Sequence, residues 1–245
     1  AFYNTAVGYA ALSNDLKGYG NTAIGHQTLT SQQFGAATTS YNTALGYSAG
    51  AAVTTGLSNT LIGALAGDSL TDSDFNVAIG LNSLGQETLG SRSTAIGYSA
   101  LFTQNNTSAL DASNTAVGYV AGYSLTTGTH NSFFGNNSGS SISTGGKNVI
   151  LGSYNGNQGG LDIRTSSNNI VLSDGDGNPQ VFFNSSGDFH LGQVATTGPG
   201  NGNSTTGGGW QSSGRFWAST SASDHGFNRN SNGVNVSIRN SGTQI

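Results

Sequence analysis

The chain has 245 residues, of which only 7% are charged and 34% are hydrophobic, and its formal net charge is −4. Globular domains average about 45–50% apolar and about 25% charged residues, so this composition argues against an enzyme with one large core. The chain contains 39 Gly, 34 Ser, 27 Thr and 27 Asn, and these poor helix formers argue against a helical protein. Seven thinly spread Lys and Arg residues argue against nucleic-acid binding.

Other absences narrow the class of protein further. The chain has no Cys, which excludes a disulfide framework and a thiolate metal site. No apolar run approaches the roughly 18 residues of a membrane span, so we predict no membrane insertion. The chain begins with Ala1 rather than Met, with a complete repeat unit at Asn4. We therefore expect the true start, with further coils or fibre, to lie upstream.

A five-residue pattern, Asn-Thr-Ala-(Val/Ile/Leu)-Gly, recurs from the start of the chain with a period of 17 residues and two insertions of four. A fixed period near 20 residues is typical of a solenoid. A tenth, degenerate unit begins at Asn169. The first position is Asn4, Asn21, Asn42, Asn59, Asn76, Ser93, Asn114, Asn131 and Asn148, and the fifth is Gly8, Gly25, Gly46, Gly63, Gly80, Gly97, Gly118, Gly135 and Gly152.

Seventeen residues suit one coil of a parallel β-solenoid, with two short strands and two turns. The fourth position is always Val, Ile, Leu or Phe, which favour strands. We expect these side chains to stack inside the coil, together with Leu12, Leu29, Leu84 and Leu101. The third position, Ala in six of nine units, lies on the opposite strand face and would let a second chain approach closely.

The Asn column and the Gly column have separate predicted roles. The Asn column predicts a ladder of amides stacked about 4.8 Å apart, which Ser93 interrupts once. The Gly column predicts a backbone angle that only Gly tolerates or a close approach to the neighbouring coil. The two four-residue insertions fall in turns between motifs, within Gln32–Tyr41 and Gln104–Ser113.

Such thin coils bury little surface alone and gain stability mainly from their neighbours. Packing several chains side by side would bury more, and closed symmetry is the rule for homo-oligomers. We therefore predict a homotrimer. The predicted fold class is all-β: a parallel β-solenoid with 17-residue coils, followed by a slim intertwined β-structure.

The repeat resembles two groups of proteins. The pattern is similar to the Asn-Ser-Val-Ala-Ile-Gly repeat of trimeric autotransporter adhesin heads, which are trimeric left-handed β-rolls. It resembles more closely the Asn-Thr-Ala-Ile-Gly-Tyr repeat of bacteriophage tail fibres. Tyr9, Tyr47, Tyr98 and Tyr119 match the Tyr of that repeat, whereas other residues stand at the equivalent position of the remaining units, namely His26, Ala64, Leu81, Asn136 and Ser153.

The C-terminal third adds to the phage resemblance. The segment 184–192 resembles a Ser-Ser-Gly-Asn-Val-Gly-Ile-Gly segment of phage fibres. The segment 226–245 resembles the stretch before a self-cleaving intramolecular chaperone, which would follow Ile245. We divide the chain into a solenoid shaft (1–152), a transition with a hairpin around 173–180 (153–197), a Gly-rich linker (198–209) and an aromatic β region (210–245), in which Val234–Ile238 predicts a strand.

Few segments could carry chemistry. Asp174, Asp176 and Asn178 have the spacing that starts a Ca²⁺ loop, but Pro179 stands where Gly is expected and Ser185 where an acid is expected. We interpret the segment as a turn, with a cation site as the alternative. The His residues lie far apart, and Asp68, Asp72 and Asp74 fit a solvated turn. We predict no catalytic residues, no resident metal and no cofactor.

The exposed aromatic residues are the best ligand candidates. Tyr98 and Tyr119 lie one coil apart, and Trp210 and Trp217 follow the linker. We favour the interpretation that they cover the coil or a seam between chains; the alternative is that their rings stack on sugar rings. A Thr column at the second position keeps an ice-binding solenoid open as a further alternative.

The sequence thus predicts a structural and adhesive protein rather than an enzyme. The resemblance implies a phage tail fibre, located on the virion and extracellular, that contacts other tail proteins and a host glycan or protein receptor. A bacterial autotransporter adhesin head is the second hypothesis. A monomeric solenoid that binds ice or glycans is the third.

Overall fold

The structure is a computed structural model of the chain. It describes residues 3–192 and, beyond them, the backbone of strands within 207–244. The predicted linker 198–209 lies outside the described residues except for its last three, which are in a strand. Strands and turns account for all regular structure in the described part, and no helix occurs there.

Short strands follow one another along the whole described chain. The first eighteen are β1 (Thr5–Val7), β2 (Gly18–Tyr19), β3 (Thr22–Ile24), β4 (Thr38–Thr39), β5 (Thr43–Leu45), β6 (Thr60–Ile62), β7 (Val77–Ile79), β8 (Gly90–Ser91), β9 (Thr94–Ile96), β10 (Leu110–Asp111), β11 (Thr115–Val117), β12 (Ser132–Phe134), β13 (Val149–Leu151), β14 (Asn157–Gln158), β15 (Leu161–Asp162), β16 (Ile170–Ser173), β17 (Pro179–Phe183) and β18 (Phe189–Gly192). The others are β19 (Gly207–Trp210), β20 (Phe216–Thr220), β21 (Ser223–Asn230), β22 (Gly233–Ser237), β23 (Arg239–Asn240) and β24 (Thr243–Gln244).

The motif strands form one parallel ladder. Strands β1, β3, β5, β6, β7, β9, β11, β12, β13 and β16 pair in this order, and equal motif positions face each other, as in Ala23↔Ala44. This register confirms the predicted parallel β-solenoid, with about ten turns of about 17 residues. At about 4.8 Å between strands, ten coils extend over roughly 45 Å.

The prediction of which motif position faces inward was wrong. Ala44 and Ala95 at the third position are fully buried within a single chain, whereas Val7 and Leu45 at the fourth position are 57% and 44% exposed. Side chains alternate along a strand, so an error of one residue exchanges the two faces completely. The third position therefore lies in the core and cannot be a seam between chains. The predicted interior positions of Leu29, Leu84 and Leu101 are confirmed.

Small and large residues compensate each other inside the coil. Leu61 and Phe133 replace Ala at the third position, and Gly stands where other coils have the inward Leu. A Cβ on Gly67 would lie 2.8 Å from Leu61 Cδ2, and one on Gly139 would lie 2.8 Å from Phe133 Cδ1. Interiors are close-packed, so each larger side chain requires a missing one beside it.

The fifth-position Gly column satisfies both predicted requirements at once. These residues have φ between +111° and +143° from Gly8 to Gly152. A Cβ on Gly63 would also lie 2.6 Å from the carbonyl oxygen of Gly80 in the next coil. Close stacking of the coils therefore depends on the absence of a side chain here.

The Asn column forms a buried ladder between coils. Each Asn Oδ1 accepts a hydrogen bond from the backbone N–H of the first-position residue in the next coil, at 2.9 Å for Asn42 to Asn59 and Asn59 to Asn76. The amide nitrogen donates mainly to a carbonyl 14 residues on, as from Asn59 to Ser73 (2.8 Å). Direct bonds between side chains are secondary, as from Asn59 Nδ2 to Asn42 Oδ1 (3.3 Å). The ladder thus ties each side chain to the backbone.

The antiparallel strands begin where the parallel ladder ends. Strand β16 pairs in parallel with β13 and antiparallel with β17, which confirms the predicted hairpin. Strands β17 to β22 continue as an antiparallel meander, so β17 covers the edge that β16 would otherwise expose. The predicted strand near Val234 is present as β22.

Candidate functional site

A distinctive surface is formed by the outward face of the motif strands. It consists of the second and fourth motif positions from β1 to β16, and we call it the outer face. Most second positions are Thr, and every fourth position is Val, Ile, Leu or Phe. The fourth-position side chains that are more than about a third exposed are Val7, Ile24, Leu45, Phe134, Leu151 and Leu172. No charged side chain occurs among these positions, so the face is a continuous neutral and largely apolar strip.

Stacked rings form a second column, at the sixth motif position. Tyr9, His26 and Tyr47 stack in succession, with centroids 5.2 Å apart at each step. Tyr98 and Tyr119, the predicted ligand residues, also stack, at 5.2 Å and with 13° between their planes. They are 44% and 56% exposed. Stacking covers one face of each ring, so a ligand ring cannot enter between these two side chains.

The structure describes only the backbone at the two tryptophan candidates. Trp210 lies in β19 and Trp217 in β20, and Gly209 pairs with Trp217 in the backbone register. Their side chains lie outside the described residues.

The acidic segment after β16 is a hydrogen-bonded turn. Asp174 Oδ1 accepts from the backbone N–H of Asp176 (3.1 Å) and of Asn178 (2.8 Å), and its Oδ2 accepts from the Gln180 amide (3.1 Å). The backbone bond from Asn178 is the main cause that lowers the pKa of Asp174. Both carboxylate oxygens therefore bind neighbours within the turn, which favours the structural interpretation.

A buried polar relay was missed in the sequence. Glu87 is fully buried, and its carboxylate accepts hydrogen bonds from the backbone N–H of Gly90 (2.7 Å) and Asn106 (3.0 Å). It also accepts from the side-chain amides of Gln104 (2.8 Å) and Asn106 (2.7 Å). The Gln104 oxygen in turn accepts from Asn114 Nδ2 (2.8 Å), which connects the acid to the Asn ladder.

The same relay occurs earlier, through Asp15, Gln32 and Asn42. Each of its members lies 72 residues before its counterpart, and this spacing was the signal in the sequence. The second relay also accounts for Ser93, whose counterpart is Asn21. The longer Glu87 carboxylate is bound by Asn106 instead, while Ser93 Oγ accepts from Gln104 (3.1 Å). At the break in the Asn ladder, Ser93 is thus bound by the relay itself.

His190 in β18 is nearly buried and stacks on Phe182 of β17, with 5.5 Å between ring centroids. Burial lowers the pKa of His190, and the charge of Asp188 opposes this effect. The unfolded chain therefore takes up a proton near pH 6.5 that the folded state resists. This contribution to stability is therefore full above pH 6.5 and is lost as the pH falls from there toward the lowered pKa of His190 in the folded state.

We predict faster amide hydrogen exchange in β17 and β18 at pH 5 than at pH 7.5, after correction for intrinsic rates. The reason is that protonation of His190 favours local opening of these strands. His190→Phe should remove most of this difference. An equal pH effect in the variant would contradict the assignment to His190.

Neither comparison with known proteins nor the placement of metal-ligating residues indicates a further site. No protein family, curated protein or solved structure matches this chain. Within the described residues, no group of three or more His, Cys, Asp or Glu is placed to hold a metal ion. The same part of the chain has no helix with the length and hydropathy to cross a membrane. The fold and site thus define a parallel β-solenoid with a neutral, apolar outer face.

Proposed function

We propose that this chain is a structural segment of a phage tail fibre, in which three copies associate and mediate attachment to a host cell. The observation that carries the proposal is the outer face. It extends over roughly 45 Å of ladder without a charged side chain. Contiguous exposed apolar patches of this kind mark interaction surfaces in soluble proteins.

A second copy of the same chain is the occupant that fits this face best. The face repeats with the coil period, so an identical chain set alongside in register offers the same side chains at every step. Rings of identical chains close by rotation, and the resemblance to trimeric fibres and heads supports a ring of three. Three attached copies would strengthen binding to a cell surface through avidity.

A charge on the outer face should break the assembly without unfolding the coil. Ile96 is a partly exposed fourth-position residue of β9, so Ile96→Glu would bury an unpaired carboxylate in the proposed seam. We expect monomers by native mass spectrometry and an unchanged β-sheet circular dichroism spectrum. Gln33→Glu, at an exposed position outside the face, is the matched control. Full trimer formation by Ile96→Glu would contradict the seam.

The cellular role has its own test. Gold-labelled antibodies against this chain should decorate the fibres of intact virions in electron micrographs. Labelling of bacterial outer surfaces in cultures free of phage would contradict the phage assignment and favour an autotransporter head. The native mass alone does not separate these two classes, because both are trimeric.

A further inference from the structure

One column of residues, immediately before the first motif position, has a left-handed backbone in every coil. Bulky side chains occupy it despite the strain, including Tyr41 (φ +52°), Phe75 (φ +59°) and Arg92 (φ +64°). Gly20 (φ +76°) stands in the same column between Tyr3 and Tyr41. The missing side chain leaves a gap in an otherwise filled row.

This gap is an open cavity of about 450 Å³, lined by Tyr3, Tyr19, Gly20, Thr39 and Tyr41. Its volume lies within the range of about 300–1,000 Å³ that small-molecule sites occupy. Tyr19 ends β2 and Thr39 ends β4, the parallel strand pair that the first insertion creates. We call this cavity the tyrosine notch.

The second insertion provides an internal comparison. The equivalent residues, 72 positions later, are Phe75, Ser91, Arg92, Asp111 and Ser113. Arg92 fills the place of the Gly20 gap: its Nε lies 2.9 Å from Asp111 Oδ1, and its guanidinium carbon lies 5.6 Å from the centre of the Phe75 ring. The same backbone therefore accommodates an arginine side chain in the second insertion, whereas the first insertion has an open notch between aromatic rings.

We propose that the tyrosine notch binds one neutral pyranose unit of a cell-surface glycan. Aromatic rings stack on the apolar faces of sugars, while the phenol groups and the Thr39 hydroxyl exchange hydrogen bonds with sugar hydroxyls. No charged side chain lines the notch, which favours a neutral sugar over an anionic one. The inference rests on the proposed attachment function and assigns it a ligand class.

Gly20→Arg would place in the notch the side chain that Arg92 has at the equivalent position of the second insertion. The backbone tolerates Arg in this conformation, as Arg92 shows. A Cβ at Gly20 would lie 2.8 Å from Tyr41 Cδ1, and Tyr41, which is 65% exposed, has room to move. Tyr41→Ala is a second variant that removes one wall. Arg92→Gly is the control, because it alters the equivalent place without touching the notch.

The probes are the methyl glycosides of glucose, galactose, mannose, N-acetylglucosamine and rhamnose, tested singly by saturation-transfer NMR on the native assembly. We expect at least one to receive saturation from wild type and Arg92→Gly, and none to receive it from Gly20→Arg or Tyr41→Ala. No signal with wild type, or an undiminished signal with Gly20→Arg, would overturn the inference.

Failure of the notch and failure of the proposed function are distinguishable. Virions that carry the labelled chain on their fibres, combined with an undiminished sugar signal in Gly20→Arg, would overturn only the notch. Absence of the chain from virions would overturn the fibre proposal, whatever the sugar experiment gives.

Discussion

Gly63→Ala is expected to destabilise the solenoid by about 3–5 kcal/mol, the combined order of backbone strain and overpacking. Gly63 has φ +129°, and an added Cβ would lie 2.6 Å from the Gly80 carbonyl oxygen. The methyl group would force two adjacent coils apart at the centre of the ladder. Guanidinium unfolding at fixed protein concentration, followed by circular dichroism, measures the effect.

Gly35→Ala is the matched control for this prediction. Gly35 lies in the first insertion, and a Cβ there would meet no heavy atom within 4 Å. It should change stability by less than about 0.5 kcal/mol, as exposed substitutions do. A Gly63→Ala protein as stable as Gly35→Ala would show that the coils can separate without cost.

Glu87→Ala is expected to cost more than about 3 kcal/mol, because every buried donor left unpaired costs about 1–3 kcal/mol. The backbone N–H groups of Gly90 and Asn106 and the Gln104 amide would all lose their acceptor. The loss should open the second wide turn first, so the amides of β8 and β10 should exchange fastest. Denaturant unfolding combined with hydrogen exchange measures both effects.

Glu87→Gln separates the shape of this side chain from its acceptor capacity. It keeps one oxygen, but its amide nitrogen would face the donating nitrogens of Gln104 and Asn106. Rotation of the Gln104 amide would only move the conflict to Asn114. We expect a loss intermediate between wild type and Glu87→Ala. Gln86→Ala, at the exposed neighbouring position, should be neutral, and a neutral Glu87→Ala would contradict the relay.

The sequence was sufficient to predict the parallel β-solenoid because the solenoid is periodic. The spacing of Asn and Gly gave the coil length, and the insertions gave the positions of the wide turns. The orientation of the motif strand was wrong because alternation identifies two faces without saying which one is inside. The narrow interior of the coil determines the orientation of the strand. It accommodates the small Ala95 at the third position, and the larger Ile96 lies on the outer face.

The features missed in the sequence depend on contacts between coils. Asp15 and Glu87 look like surface acids, and only the structure places each carboxylate among buried amides. The tyrosine notch likewise depends on a missing side chain, at Gly20, between Tyr3 and Tyr41 of the coils on either side. Comparison of residues 72 positions apart would have indicated both, since it pairs Asp15 with Glu87 and Gly20 with Arg92.

The native mass of the intact protein tests the central claim most directly, because the proposed fibre function of the outer face requires that chains associate along it. The chain has a mass of 24.7 kDa. We predict a particle near three times this value, about 74 kDa, which corresponds to a closed threefold ring. A stable particle of 24.7 kDa would contradict the proposed trimer and leave the outer face exposed on a single-chain solenoid.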